Sequence, residues 1–323
     1  MPPEILEFED ALEPLLKEVE TLAGLPQTGA RDRQIETLQR RINTARAELY
    51  SSLTPWQRVL VARHPSRPCL EDFVKLLFTG FVEIHGDRRF ADDHAIMTGF
   101  ADYKGRPVML VGHVKGGDTK EKIYRNFGYA RPEGYRKALR AMRMAEKFGR
   151  PIIVFVDTPA AYPGIESEER GVAEAIAVNL REMMLLDTPI VVIVSGEGGS
   201  GGALGIAIGD TVLMQEFAIY SVIPPEGCAA ILWRDSSKKI EAAEALKLTA
   251  PDQLKAGLID AIVGEPVGGA HTDPAHAARL IDAALEGALT ELCALDSATR
   301  LERRYEKFRR MGRAGVDFVD ESA

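Results

Sequence analysis

Apolar residues recur along the first fifty positions in steps of three and four: Ile5, Phe8, Leu12, Leu15, Val19 and Leu22, then, after Gly24, Leu25 and Pro26, Ile35, Leu38, Ile42, Ala45 and Leu49. A seam of that period marks a helix with one adhesive edge. Two such helices around a Gly/Pro loop predict an antiparallel hairpin over 1–53, too small to stand alone, that clamps onto the core or onto a second subunit. Pro55, Pro65 and Pro68 then mark a linker with a short helical piece, and Cys69 to Phe81 reads as a helix, so that 54–85 joins the hairpin to the rest. The main domain is expected over 86–323.

Beyond Gly86 the period shortens. Ala95 to Tyr103 and Pro107 to Val114 read as strands joined by the turn Lys104, Gly105, Arg106. Tyr135, Ala138, Leu139, Met142 and Ala145 give a helix with one apolar face. From Pro151 strands and helices alternate: strand Ile152 to Val156, helix Glu166 to Leu186, strand Ile190 to Val194, a glycine turn, a short helix Ala203 to Ile208, strand Thr211 to Met214. That alternation implies right-handed crossovers and a parallel sheet, an α/β fold. Its first two strand-to-helix turns, DTPAAYPG from Asp157 and GEGGSGG from Gly196, therefore open on the same side. A small strand Ala261 to Val263 and a helical end with a basic finish, Arg303, Arg304, Lys307, Arg309 and Arg310, complete the pattern; the finish reads as a solvated face or else a partner surface.

Composition changes this picture little. With 46% hydrophobic and 27% charged residues over 323 positions the chain is ordinary globular, and a net charge of −8 argues against bulk nucleic-acid binding. No segment reaches the ~18 to 20 apolar residues that span a bilayer. The start, MPPEILEFED, is acidic where a signal peptide is basic and then apolar, which places the chain in the cytoplasm. Three scattered cysteines, Cys69, Cys228 and Cys293, form no CxxC pair for zinc and read as buried thiols. A basic stretch from Lys115 to Arg143 is either a solvated helix face or an anion site.

The candidate chemistry lies in the glycine turn. Gly196, Gly198, Gly199, Gly201 and Gly202 offer bare backbone amides with a helix dipole behind them, a place for negative charge. Gly196, Gly198 and Gly201 form GxGxxG, with Glu216 where a ribose-binding acid would sit, but a dinucleotide fold usually opens with that unit and here another precedes it. Ser200 meets the GxSxG spacing, yet no base among His113, His271 and His276 is identified by spacing. Amides without an acid, base or metal point to oxyanion stabilisation, where one donor is worth about 3 to 4 kcal/mol.

DTPAAYPG, EERG at Glu168 to Gly171, GEGGSGGALGIAIGD and PPEGCAAILW at Pro224 to Trp233 resemble the carboxyltransferase α subunit of bacterial acetyl-CoA carboxylase. ARHPSRP at Ala62 to Pro68, GHVKGGDTKEKIYRNFG at Gly112 to Gly128 and PEGYRKALR at Pro132 to Arg140 extend the resemblance over nearly the whole chain. It implies a crotonase-like α/β fold of ββα units and a half-reaction, transfer of the carboxyl group from carboxybiotin on a biotin carboxyl carrier protein to acetyl-CoA, giving malonyl-CoA for fatty-acid synthesis. It implies an α2β2 assembly with a β subunit that carries the zinc, beside a biotin carboxylase where the complete complex binds ATP. By motif, the N–H groups of Gly201 and Gly202 become the oxyanion hole, and Ala160, Ala161, Tyr162, Pro163, Gly198 and Gly199 the carboxybiotin site. Ala160 stands where the family's loop reads glycine, so a positive φ there would strain it; Gly117 stands where the family often has a basic residue. The reading of another class is a standalone crotonase-like hydrolase or isomerase acting on a CoA thioester, which needs an acid or base near the second turn; a noncatalytic scaffold leaves the glycine turn unexplained.

Overall fold

The computed structural model describes residues 5–312. A 3-10 turn, Glu7–Leu12, leads into helices α1 (Glu13–Ala23), α2 (Gly29–Tyr50), α3 (Pro55–Ala62) and α4 (Leu70–Leu77). Strands β1 (Thr79–Glu83), β2 (Ile96–Tyr103) and β3 (Arg106–His113) follow, then α5 (Thr119–Tyr124), α6 (Pro132–Lys147) and β4 (Ile152–Thr158). Next come α7 (Ile165–Glu169), α8 (Val172–Leu185), β5 (Ile190–Gly199), α9 (Ser200–Leu204), β6 (Thr211–Gln215) and β7 (Ile219–Ser221). Helices α10 (Pro225–Leu232), α11 (Lys239–Leu246) and α12 (Ala250–Lys255), strand β8 (Ala261–Val263), and helices α13 (Pro274–Ala294) and α14 (Ser297–Arg310) end the chain.

The strands form one sheet in the order β1-β2-β3-β4-β5-β6-β8, antiparallel through β3 and parallel beyond it. Strands buried on both faces need apolar residues at every position, and β4 and β5 show why. Ile152, Val154, Val156, Ile190, Val192 and Val194 pack with α6 and α8, while Ile153, Phe155, Val191 and Ile193 pack with α4 and α13. β5 is forked: Val191 to Val194 pair with β6, whereas Glu197 to Gly199 pair with β7.

Several elements differ from the sequence reading. The helix expected from Cys69 to Phe81 stops at Leu77, and Thr79–Glu83 adds an edge strand, so the sheet begins before residue 86. The helix expected from Glu166 to Leu186 is two, because Gly171 takes a left-handed conformation (φ 77°) between α7 and α8. The strand Ile190 to Val194 runs on to Gly199, and the short helix starts at Ser200 and ends before Gly205 rather than spanning Ala203 to Ile208. The hairpin forms, but its seam is closed on one helix only: Leu38, Ile42 and Tyr50 of α2 are buried and no residue of α1 is. Its base is fixed by Glu9, which accepts from the Tyr50 hydroxyl at 3.1 Å, and by Tyr50 edge-on to Phe217 beyond β6. Cys69 and Cys228 are buried, whereas Cys293 lies exposed on α13. Among the described residues no helix is long and apolar enough to cross a membrane.

The basic finish is not simply a solvated face. Arg303, Arg309 and Arg310 are exposed, but Arg304 is 1% exposed and holds the Asp210 carboxylate through Nε (2.8 Å) and Nη2 (2.7 Å). Its remaining donors reach the carbonyls of Met183, Leu186 and Thr188, and Asp210 in turn accepts from the Ile190 amide. One guanidinium therefore joins α14, the end of α8 and the start of β5. Removing one partner of such a pair leaves a buried charge uncompensated. Arg304→Ala is expected to lower unfolding stability by ~3 to 5 kcal/mol, read from denaturant midpoints, while Arg303→Ala, on the exposed side, changes it by about 0.5 kcal/mol or less.

Candidate active site at the ends of strands β4 and β5

The two turns picked out from sequence lie side by side because they leave adjacent parallel strands. Their contact is made of backbone. A Cβ at Gly199 would overlap the carbonyl of Pro159, and a Cβ at Gly202 would overlap the backbone of Ala160 and Ala161. Gly198 packs under the Tyr220 ring, where a Cβ would come within 2.6 Å of it. Gly201 differs: its nearest neighbour would be Ile176 Cδ1 at 3.7 Å, so space and not contact surrounds it. The glycine-rich run thus serves close approach at most of its positions and leaves one position open.

Ser200 turns the chain from β5 into α9 with φ 52°. No side chain caps α9, and its first N–H groups, at Ser200, Gly201 and Gly202, have no acceptor within so short a helix. The helix is held from behind by Tyr135, whose hydroxyl donates to the Gly202 carbonyl at 3.2 Å, and by Asn179, whose Nδ2 donates to the Gly205 carbonyl at 2.9 Å. A cavity of about 360 Å³ adjoins Ser200 and Gly201 and is walled by Leu204, Val212, Tyr220, Leu246, Leu258 and Phe308. Ala160, Ala161, Tyr162 and Pro163 do not line it; Pro163 is exposed, and Arg131 stacks on the Tyr162 ring at 4.9 Å. Gly198 and Gly199 line a separate crevice with Arg63, Pro159 and Glu197. Gly202 is buried. Ala160 has no positive φ, so alanine is unstrained there, and its carbonyl lies 2.9 Å from the Thr158 hydroxyl.

Beneath the turns lies a group of charges that spacing did not reveal. Lys115 Nζ sits 2.7 Å from Asp157 and 2.8 Å from Glu197, and Arg63 reaches Glu197 and Glu226 at 2.6 Å each. Burial pushes the Glu197 carboxyl up, but Lys115 and Arg63 outweigh it and hold the group down at about 2. Burial acts likewise against the Lys115 ammonium, and the two carboxylates raise it above its ordinary value. Part of the basic stretch is committed internally: Lys137 is fully buried on Asp92, Arg136 pairs with Asp87, and Arg140 donates to the carbonyls of His85 and Gly86, whereas Lys120 is exposed. It is not a plain solvated face, and Arg136, Arg140 and Arg143 line a cavity of about 400 Å³ with Arg89, Arg181, Asp87 and Glu174.

The other readings of the glycine turn find no support in this geometry. Gly196 and Gly198 lie within a strand, and the Glu197 amide between them donates to Asp157, so GxGxxG here is no phosphate loop. Glu216 accepts from the Glu265 amide. Neither His113, His271 nor His276 hydrogen-bonds Ser200: His113 is enclosed against the Gly202 backbone, and His271 stacks on His64. Among the described residues no three His, Cys, Asp or Glu side chains are grouped to hold a metal.

The family model described as acetyl co-enzyme A carboxylase carboxyltransferase-like matches residues 5–312. The chain belongs to this family. The acetyl-coenzyme A carboxylase carboxyl transferase subunit alpha of Geobacter metallireducens is 55% identical over 95% of this chain and 97% of its own; that of Geobacillus thermodenitrificans is 51% identical over 98% of each. The chain is thus a carboxyl transferase α subunit, a transferase. Its fold is crotonase-like, as the resemblance implied. Of the solved structures, a Pseudomonas malonate decarboxylase hetero-tetramer in complex with coenzyme A superposes with a TM-score of 0.55 at 17% identity, over 69% of this chain and 91% of that one.

Sequence reasoning within this family missed the cavity wall from Phe308 and the charges around Lys115; the only signal for either was the density of basic residues. It also missed the complete burial of His113. Burial, and then the charge of Lys115, hold its imidazole down at about 3. The folded protein therefore keeps His113 neutral while the unfolded chain protonates near pH 6.5, so stability is full above that pH and is lost as pH falls toward about 3. The expected slope from this group is ~1.4 kcal/mol per pH unit below pH 6. Denaturant midpoints between pH 6.5 and 4 should fall less steeply in His113→Leu than in the unaltered protein.

Proposed function

We propose that this chain supplies the carboxybiotin side of carboxyl transfer to acetyl-CoA, as the α subunit of an α2β2 assembly acting in the cytoplasm, with a β subunit that carries zinc and most of the acetyl-CoA site. The biotin carboxyl carrier protein presents carboxybiotin, made by biotin carboxylase with ATP. The observation that carries this reading is the uncapped start of α9 at Gly201, open to a 360 Å³ cavity in a turn whose carboxylate, Glu197, is held by Lys115 and Arg63.

When the N–CO2 bond of carboxybiotin breaks, the electron pair stays on the ureido group and negative charge gathers on its oxygen. The N–H groups of Gly201 and Gly202 receive that charge, in a setting prearranged by the backbone contact with Ala160 and Ala161. The freed ureido nitrogen takes the α proton of the acetyl thioester, and the resulting enolate attacks CO2 to give malonyl-CoA. No acid or base is then required of this chain. A standalone hydrolase or isomerase would need one, and the histidines do not provide it.

Carboxyl transfer from malonyl-CoA to biocytin tests the reading, with this chain alone and then mixed with a zinc-carrying β subunit. Activity is expected in the mixture only. Gly201→Val, where a Cβ would meet nothing nearer than Ile176 Cδ1 at 3.7 Å and would not touch Ala160 or Ala161, is expected to assemble normally and to lose ~10²-fold or more in kcat. Gly202 is the wrong probe, because any side chain there forces the turns apart. Turnover of an acyl-CoA by the chain alone, or an inactive but assembled mixture, would contradict the proposal.

A further inference from the structure

We propose that Lys115 is a positioning residue for the transfer reaction, holding a bulge in β5 that sets where the Gly198 to Gly202 backbone meets the Pro159 to Ala161 turn. The proposal rests on the reaction proposed above but is carried by different observations.

The first is register. β4 and β5 run in step from Ile152 against Ile190 to Val156 against Val194, and the next aligned pair is Thr158 against Gly198. β5 therefore spends four residues where β4 spends two. An excess of this kind bends and re-aims a strand, and bulges concentrate beside active sites for that reason. Without it Gly199 and Gly202 would not reach Pro159 and Ala161.

The second is what fills the bulge. Strand pairing is interrupted there, and the Asp157 carboxylate takes the place of a ladder acceptor, receiving the Glu197 amide at 2.8 Å. It also lies so close over Gly196 that a Cβ there would overlap it. The same bulge brings a second carboxylate, Glu197, into the same space; both side chains are 8% exposed. Two carboxylates in such a setting repel, and Lys115 lies between them, with Arg63 on the far side of Glu197 and Glu226 beyond it. Lys115 follows the end of β3, so three successive strand ends are drawn together by one ammonium group. His113, buried and neutral, adds no charge.

Loss of Lys115 leaves Asp157 and Glu197 facing each other, and the bulge opens under the amides. A displacement of about 1 Å at a reacting centre costs ~10²-fold in rate. In the complete assembly with the β subunit, Lys115→Met is expected to lower kcat by ~10²-fold with the KM for the acyl-CoA within about twofold of its original value. Removing the repulsion as well should restore function: Lys115→Met with Glu197→Gln is expected to recover at least about tenfold of the lost kcat, a rescue that a purely structural lysine would not show. Hydrogen–deuterium exchange of the 196–203 amides, read in the same assemblies, is expected to quicken in K115M and slow again in the double variant. Full kcat in assembled K115M, no recovery in the double variant, or unchanged exchange would each overturn the proposal. The exchange arm decides it even if the assembly proves not to use carboxybiotin, so the two readings fail separately. Should K115M not assemble, the double variant decides: assembly with 196–203 exchange near that of the unaltered protein supports the proposal, and failure to assemble or fast exchange overturns it.

Discussion

The contact of backbone on backbone, Gly199 on Pro159 and Gly202 on Ala160 and Ala161, is the constraint around which this structure is arranged. Two loops can approach so closely only if one of them has no side chains, which limits the residues of that loop to glycine at the touching positions. Such loops would wander unless both were anchored. Here each leaves a strand buried on both faces, and the two strands are central in the sheet. Rigidity of the sheet becomes precision at the turns, which suits chemistry that depends on preorganised amides more than on a reactive side chain.

Charge is used inside this protein in the same spirit. Arg304 on Asp210 fixes the start of β5, and Lys115 with Asp157 and Glu197 fixes its end. Both are mostly buried and richly bonded, the condition under which an ion pair specifies geometry rather than adding much stability. The strand that carries the glycines is thus pinned at either end by cations from distant parts of the chain. An acidic protein with dense basic segments spends many of those bases on its own architecture.

The sequence carried the sheet clearly and the charges poorly. Unbroken apolar runs at Ile152 and Ile190 could only be central parallel strands, and from that the neighbouring position of the two turns followed. The boundary between strand and turn was hidden, because glycine lacks any strand signature and Gly196 to Gly199 read as loop while they continue β5. Gly171 likewise sat inside a helical period that it interrupts. Lys115 and Arg304 read as solvated or anion-binding bases, since pairing across 82 or 94 residues leaves no trace in local spacing. Of the candidate site, the bare glycines were legible, whereas the difference in packing between Gly201, which faces space, and Gly202, which makes the contact, required coordinates.

The most direct test of the account replaces one atom. An ester in place of the amide at Gly201, introduced as glycolate during translation, removes the N–H and leaves shape, side chains and backbone contact in place. The account predicts an intact assembly whose kcat for carboxyl transfer falls by ~10² to 10³-fold, with the KM for the acyl-CoA little changed. An ester variant with full kcat would contradict it, and charge on the ureido oxygen would then have to be met elsewhere.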